Sequence, residues 1–450
     1  MSDRRTIADL ARALAARTVT AESVTRECLA RIDRLGDATN AFITVLADRA
    51  LAAARVADDD AAAGRLRGPL HGVPISLKDI IDVAGVPTTA ASAVRRGHVA
   101  TGDAVIVQRL EDAGAIIIGK TNLHEFALGP TNDESAFGPV HHPMDPSLSS
   151  GGSSGGSAVS VATGMAWASI GTDTGGSIRI PAAACGVVGL KPSFGDVPTE
   201  GVVPLSASFD HVGPLCRSVG DARLLFDVMA PGTGEADTAA RPAGLRLGIP
   251  RDYFLDHVAP AVLASFDEAC GRLRDAGVTI DTVSIPAARD TSPIYVCVAL
   301  AEAAEYHART VAAHPEGYTV PIRVRLQAAR HILAEDYLRA QRGRRGLTAE
   351  VDAALTECDA LLLPTLPVTA QPIGAGTVRL GSWEDSVRNT MLRLTQLFNV
   401  TGHPALTMPA APTAEGLPVG LQLVGRRGAT RRLLDVAAAL EPIAGHPFAC

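Results

Sequence analysis

The sequence predicts an α/β sandwich around a mixed sheet. Three observations point there: helix-patterned segments alternate with short apolar runs, those runs read as buried strands, and no long linker divides the 450 residues. One large domain with insertions fits this pattern better than a string of separate domains.

The elements follow in order. Ile7 to Ala15 and Ala21 to Leu35 carry apolar residues at helical spacing, with Thr20 placed as N-cap of the second. Ala41 to Leu46 reads as a strand and Arg49 to Ala63 as an alanine-rich helix. Gly72 to Asp79 (GVPISLKD) is an apolar run ending in charge, a buried strand that delivers Lys78. Asp103 to Ala113 is a helix, followed by the strand Ala115 to Gly119. Ala158 to Ala168 is small and apolar, suited to a tightly buried helix. Leu245 to Ile249, Thr279 to Ile285, Asp359 to Leu363 and Gly420 to Val424 are further strand candidates, and Pro260 to Ala276 and Thr430 to Leu440 are helices. Ala287 to Arg345 is mainly helical by pattern, with one strand candidate at Ile294 to Ala299. An insertion over residues 287–375 is expected to shape a substrate pocket within a single domain spanning residues 1–450.

Composition narrows the function classes. Aromatic residues make up only 4%, so the core is built mainly of Ala, Val, Leu and Ile. The net charge of -7 argues against a nucleic-acid partner, whose binders carry a basic patch. Four arginines between Arg339 and Arg345 form a short tract, read as a solvated helix face. Met1 to Leu10 lacks the apolar run of a secretory signal, and no uninterrupted apolar stretch is long enough to span a membrane. Seven scattered cysteines, Cys450 among them, form no CxxC pair. They read as reduced thiols of a cytoplasmic protein, not as a disulfide framework or zinc site.

The densest signal runs from Gly151 to Pro192. It holds Gly151-Gly152-Ser153-Ser154-Gly155-Gly156-Ser157 and, further on, Gly171-Thr172-Asp173-Thr174-Gly175-Gly176-Ser177. A flexible linker would be flanked by polar sequence, which these glycines are not. A phosphate-binding loop would need a lysine after the glycines, and none follows. Gly152 to Gly156 matches G-x-S-x-G around Ser154, but that elbow must follow a buried strand, and here a turn-rich loop precedes it. The remaining reading uses serines and a lysine. Glycines just before Ser177 let successive backbone N–H groups converge on a developing oxyanion. A serine nucleophile needs a base. No histidine lies in the segment, and His71, His124, His141 and His142 read as structural or surface residues. A buried lysine can serve if its pKa is depressed, and Lys78 follows Val73, Pro74, Ile75 and Leu77.

These segments resemble the amidase signature family. The matching pieces are GVPISLKD at Gly72 to Asp79, GKTNLHEFALG at Gly119 to Gly129, SAFGP at Ser135 to Pro139, and the block from Gly151 to Pro192. FNVTGHPALTMP at Phe398 to Pro409 and LPVGLQLVG at Leu417 to Gly425 also match. The resemblance implies an α/β/α sandwich on a mixed, many-stranded sheet. It implies that neutral Lys78 takes a proton from Ser153, which takes one from the nucleophile Ser177, with a cis peptide at Gly152-Ser153. The N–H groups of Thr174, Gly175, Gly176 and Ser177 would hold the oxyanion. Leu128, Gly129 and Pro130 would line the substrate site, while Ser154, Asp173 and Arg179 would orient the others. Cys185 reads as a packed small residue. No metal or organic cofactor is implied.

The expected substrate is a small-molecule aryl or alkyl amide, with carbamates and esters as alternatives on the same triad. Lys191 and the arginines of the insertion are candidate partners for a substrate carboxylate. Another alternative is the glutamine-hydrolysing subunit of a tRNA amidotransferase. That branch carries a YDGxRYG segment where this chain has Glu302-Ala303-Ala304-Glu305-Tyr306-His307-Ala308-Arg309. A non-catalytic binding subunit would have lost Lys78, Ser153 or Ser177, and all three are present. Family members are often dimers, so the resemblance also suggests a homodimer.

Overall fold

The computed structural model describes residues 6–232 and 240–445; Cys450 and the first five residues lie outside them. Thirteen strands occur among the described residues: β1 (Phe42–Val45), β2 (Pro74–Lys78), β3 (Ile116–Thr121), β4 (Ala168–Thr172), β5 (Val188–Lys191), β6 (Val212–Cys216), β7 (Arg246–Pro250), β8 (Thr279–Val283), β9 (Ala360–Pro364), β10 (Thr377–Leu380), β11 (Trp383–Ser386), β12 (Ala405–Pro409) and β13 (Gly420–Val424). Eleven form one sheet in the order β1-β3-β2-β4-β6-β5-β12-β13-β9-β7-β8, and β10 pairs with β11 in a separate hairpin. The sheet is mixed. β3, β2 and β4 run parallel, as do β9, β7 and β8, while β4–β6 and β12–β13 pair antiparallel. Helices flank it, and no helix among the described residues is long and apolar enough to cross a membrane.

Local chemistry explains the elements. Thr20 caps the helix Ala21–Thr39 as expected, its hydroxyl accepting from Ser23 N, and Asn40 closes that helix in the left-handed conformation. β2 is buried at every residue; Ile75 and Leu77 show no exposure, and burying side chains of that size stabilises by about 1.5–3 kcal/mol each. Those two residues alternate with Ser76 and Lys78, so the strand anchors on one face and presents polar groups on the other.

Several expectations need correction. The run Ala158 to Ala168 is not one helix. A helix spans Gly155–Ala162, Gly164 turns the chain at φ 72°, and β4 starts at Ala168. The tight burial holds: a Cβ on Gly156 would stand 2.3 Å from Ala41 O. Ile294 to Ala299 is not a strand but part of the continuous helical turns Thr291–Tyr295 and Val296–Leu300, where neighbouring helices supply the packing that a sheet would. The region 287–375 contains these and later helices, yet β9 within it sits between β13 and β7 in the main sheet. The tract at Arg339 to Arg345 is not uniformly solvated. Arg344 donates to Val400 O and Ser208 O and stacks over Phe209.

Candidate active site

The C-terminal end of β2 delivers Lys78 into the protein interior. Its Nζ donates to Ser153 Oγ at 2.7 Å and to Thr172 Oγ1 at 2.8 Å. Burial pulls its pKa from 10.5 to about 7, against the pull of the Asp173 and Asp210 carboxylates. That shift favours the neutral amine by about 5 kcal/mol relative to an exposed lysine.

Ser153 lies on the loop between Ser149 and Gly155, after the cis peptide Gly152-Ser153. Ser177 lies on the turn that leads from β4 into the helix Arg179–Cys185. The two loops are joined by Ser154 N donating to Ser177 O at 3.2 Å, and Ser154 Oγ donates to Thr172 O. Among the described residues, no hydrogen bond links the Ser153 and Ser177 hydroxyls. The structure thus brings Lys78 and Ser153 into contact and holds the loop of Ser177 beside them.

The turn before Ser177 is shaped for an anion. Among the described residues, the backbone N–H groups of Thr174, Gly175, Gly176 and Ser177 have no hydrogen-bond acceptor. Gly176 adopts φ 139°, and a Cβ there would stand 2.3 Å from Thr395 Oγ1. Thr395 Oγ1 in turn donates to Gly175 O at 2.7 Å, which fixes that peptide.

Asp173 and Arg179 hold the turn from below. Arg179 makes a bidentate pair with Asp173, both wholly buried. Burial alone would raise the Asp173 pKa, but the Arg179 charge and hydrogen bonds outweigh it and keep the carboxyl well below its usual range. Arg179 also donates to Thr395 O, Gln422 Oε1 and Asn399 Oδ1. Asp173 caps the helix Arg179–Cys185 by accepting from Ile178 N and Arg179 N.

Beside Ser177 is a narrow cavity open to solvent, lined by Ala127, Leu128, Gly129, Gly175, Tyr295, Arg388 and Leu392 among others. Leu128 and Gly129, two of the three residues expected from sequence at a substrate site, are in its wall. Pro130 is not in the lining; it is buried beside Gly152. Lys191 drops out as a substrate partner, since its amine is buried and donates to Pro192 O. Cys185 is packed, its thiol directed to Ser150 O.

His71, His141 and His142 bond to the carbonyls of Ala57, Pro146 and Ala184 and stand apart from the chemistry. His124 differs. It is buried under Gly129, its Nδ1 accepts from Asn132 N, and its Nε2 has no partner among the described residues.

Five participants were not singled out from sequence: Thr172, Asp210, Tyr295, Arg388 and Thr395. Thr172 is legible as part of the glycine-rich block. Tyr295 and Arg388 come from helices, and Thr395 from the turn before the helix Gln396–Val400, none of them within a motif.

Comparisons with known proteins bear on the family and the fold. The sequence pattern of the family described as Amidase matches residues 23–434. A glutamyl-tRNA(Gln) amidotransferase subunit from Anaeromyxobacter sp. (strain K) is 38% identical over 470 aligned positions, covering 95% of this chain and 94% of that protein. A crystal structure of an amidase superposes with a TM-score of 0.93 at 38% identity, covering 98% of this chain and 100% of the other. The native peptide amidase of Stenotrophomonas maltophilia gives a TM-score of 0.84 at 31% identity, with 99% and 98% covered. With a mixed sheet, a buried lysine on a serine and a glycine-turned second serine in place, the chain belongs to the amidase signature family of amide hydrolases.

Proposed function

We propose that this protein hydrolyses the C–N bond of a small-molecule carboxylic amide through an acyl-enzyme on Ser177. The observation that carries the reading is the 2.7 Å hydrogen bond from a buried Lys78, whose pKa burial lowers to about 7, to Ser153, next to a turn whose four N–H donors have no acceptor among the described residues.

In this mechanism neutral Lys78 accepts the Ser153 hydroxyl proton as Ser153 accepts that of Ser177. Ser177 Oγ forms a bond to the amide carbon. The carbonyl π pair moves to oxygen, and the N–H groups of residues 174–177 hold the oxyanion. The oxyanion collapses, the C–N bond breaks, and the same relay returns the proton to the leaving amine. Water, deprotonated through the relay, then releases the carboxylic acid and restores Ser177. Closing of the Ser153–Ser177 contact accompanies substrate binding, since catalytic hydrogen bonds in unliganded enzymes are often long. Ester and carbamate carbonyls fit the same steps.

Ser177→Ala is expected to lower kcat on a hydrolysed amide by roughly 10⁴-fold or more while leaving the thermal unfolding midpoint near that of the parent. Full activity in that variant would overturn the reading.

A second reading has one observation in its favour: 38% identity to the glutamyl-tRNA(Gln) amidotransferase sequence. On that reading the substrate is glutamine and a partner protein receives the ammonia. The Glu302 to Arg309 segment departs from the motif of that branch. Hydrolysis of glutamine alone, out of a panel of anilides, carbamates and short amides, would favour it over the first.

A further inference from the structure

We infer that the cavity beside Ser177 carries an anion subsite, formed by Arg388 and Tyr295 of its lining with Arg325 beside them on Leu128 O, that selects amides bearing a carboxylate a few bonds from the scissile carbonyl. The inference rests on the amide-hydrolase reading above and names its substrate class.

Arg325 lies on the helix Val320–Ala329 and Arg388 on the helix Val387–Leu392. Their guanidinium groups converge on one acceptor, Leu128 O, at 2.7 and 3.0 Å. Leu128 is in the wall of the cavity that also exposes Ser177. Each arginine spends one donor on that carbonyl, and a guanidinium has five N–H donors. Among the described residues neither makes an ion pair. Glu134 acts on Arg325 only from beyond contact distance.

Two partly buried like charges without a carboxylate between them are costly to a fold. The cost is visible in their acidity: burial first, and then the Arg325 charge, bring Arg388 down to about 10. Burial also lowers Arg325. Tyr295 adds a third donor at the same wall. Its hydroxyl stands where a Cβ on Gly175 would be 2.9 Å away, and among the described residues it makes no hydrogen bond. The lining of the cavity contains no aspartate or glutamate.

Paired guanidinium forks match the two oxygens of a carboxylate in plane, which a single ammonium does not. Lys191, the other basic candidate, is sequestered on Pro192 O.

The test compares matched amides by ammonia or amine release. Succinamate and malonamate are set against butyramide and propionamide, which replace the carboxylate by a methyl group. N-Acetylglycine against N-ethylacetamide places the carboxylate on the leaving side. The parent enzyme is expected to prefer the acid in one of the two arms. In R388A, and separately in R325A, the acid-to-neutral ratio of kcat/KM should fall about 10- to 100-fold, with R388K recovering part of it. As a readout without a variant, succinate or malonate should raise the melting temperature of the parent protein. No acid preference in either arm, or equal loss on acid and neutral amides in R388A, would overturn the subsite. Fluorophosphonate labelling of Ser177 separates the two failures. A labelled enzyme indifferent to the carboxylate contradicts only the subsite. An enzyme that does not label contradicts the hydrolase reading and the subsite with it.

Discussion

Lys78, Asp210 and Thr174 form a linked set at the scale of single residues. Asp210 is half-buried, and desolvation raises its carboxyl to about 6 even though it accepts hydrogen bonds from Thr174 Oγ1, Leu205 N and Ser206 N. Its charge favours protonated Lys78, as does that of Asp173, while Lys78 in turn disfavours protonation of His124. Asp173 is committed to Arg179 and keeps its charge across the working range. Asp173 acts on the lysine more strongly than Asp210 does, but Asp210 is the one whose charge can be removed without breaking the Arg179 pair. Because the relay needs neutral Lys78, activity should rise with pH through about 7. Asp210→Asn removes a charge that raises the Lys78 pKa, so the acidic limb should move to lower pH. The asparagine can keep all three hydrogen bonds, its oxygen facing the two N–H groups and its amide facing Thr174. A kcat/KM profile with an unmoved limb would show that the Asp210 charge does not reach the lysine.

The element that decides geometry is the turn from β4 into the helix Arg179–Cys185. Its backbone at Gly176 needs φ 139° and leaves no room for a methyl group beside Thr395. Gly176→Ala should lower kcat by about 10²–10³-fold, the cost of misplacing an oxyanion donor, with a smaller change in KM. Steady-state kinetics on one amide checks it; an unchanged kcat would mean that these N–H groups do not hold the oxyanion. This turn was legible in the sequence because glycines and serine recur at fixed positions within one short segment. β2 was legible for a similar reason, since an apolar run ending in Lys-Asp reads as a buried strand with a functional end. Other elements were not. β6 is Val-Gly-Pro-Leu-Cys, buried on both faces, so it shows no alternation, and its glycine and proline argue against a strand. Ile294 to Ala299 has a strand-like composition, but helices enclose it. The arginine pair was hidden because Arg325, Arg388 and Tyr295 come together only in the fold.

Across the whole molecule, Arg179 ties distant parts of the chain to the catalytic turn. Its partners lie at Asp173, Thr395, Asn399 and Gln422, and Asn399 returns hydrogen bonds to Asp173. All of these groups are buried, so removing one partner leaves an uncompensated charge in the interior. Arg179→Ala should destabilise the protein by about 3–5 kcal/mol. A urea unfolding midpoint equal to that of the parent would show that the network is not what holds the turn. Glu302 and Glu125 play a milder part. Glu302 accepts from Ser206, Ser208 and Tyr337, and Glu125 from Ser92 and Thr319, which fasten the helical region to the loops that follow β3 and β5.

The central claim is that Ser177 is a nucleophile whose base is neutral Lys78. Its most direct test is the rate at which a fluorophosphonate labels the protein as a function of pH, with the modified residue mapped by mass spectrometry. The account predicts a single adduct on Ser177, a rate that climbs through about pH 7 to a plateau, and loss of labelling in Lys78→Ala. An adduct on another residue, or Ser177 labelling that is flat with pH and survives Lys78→Ala, would contradict it.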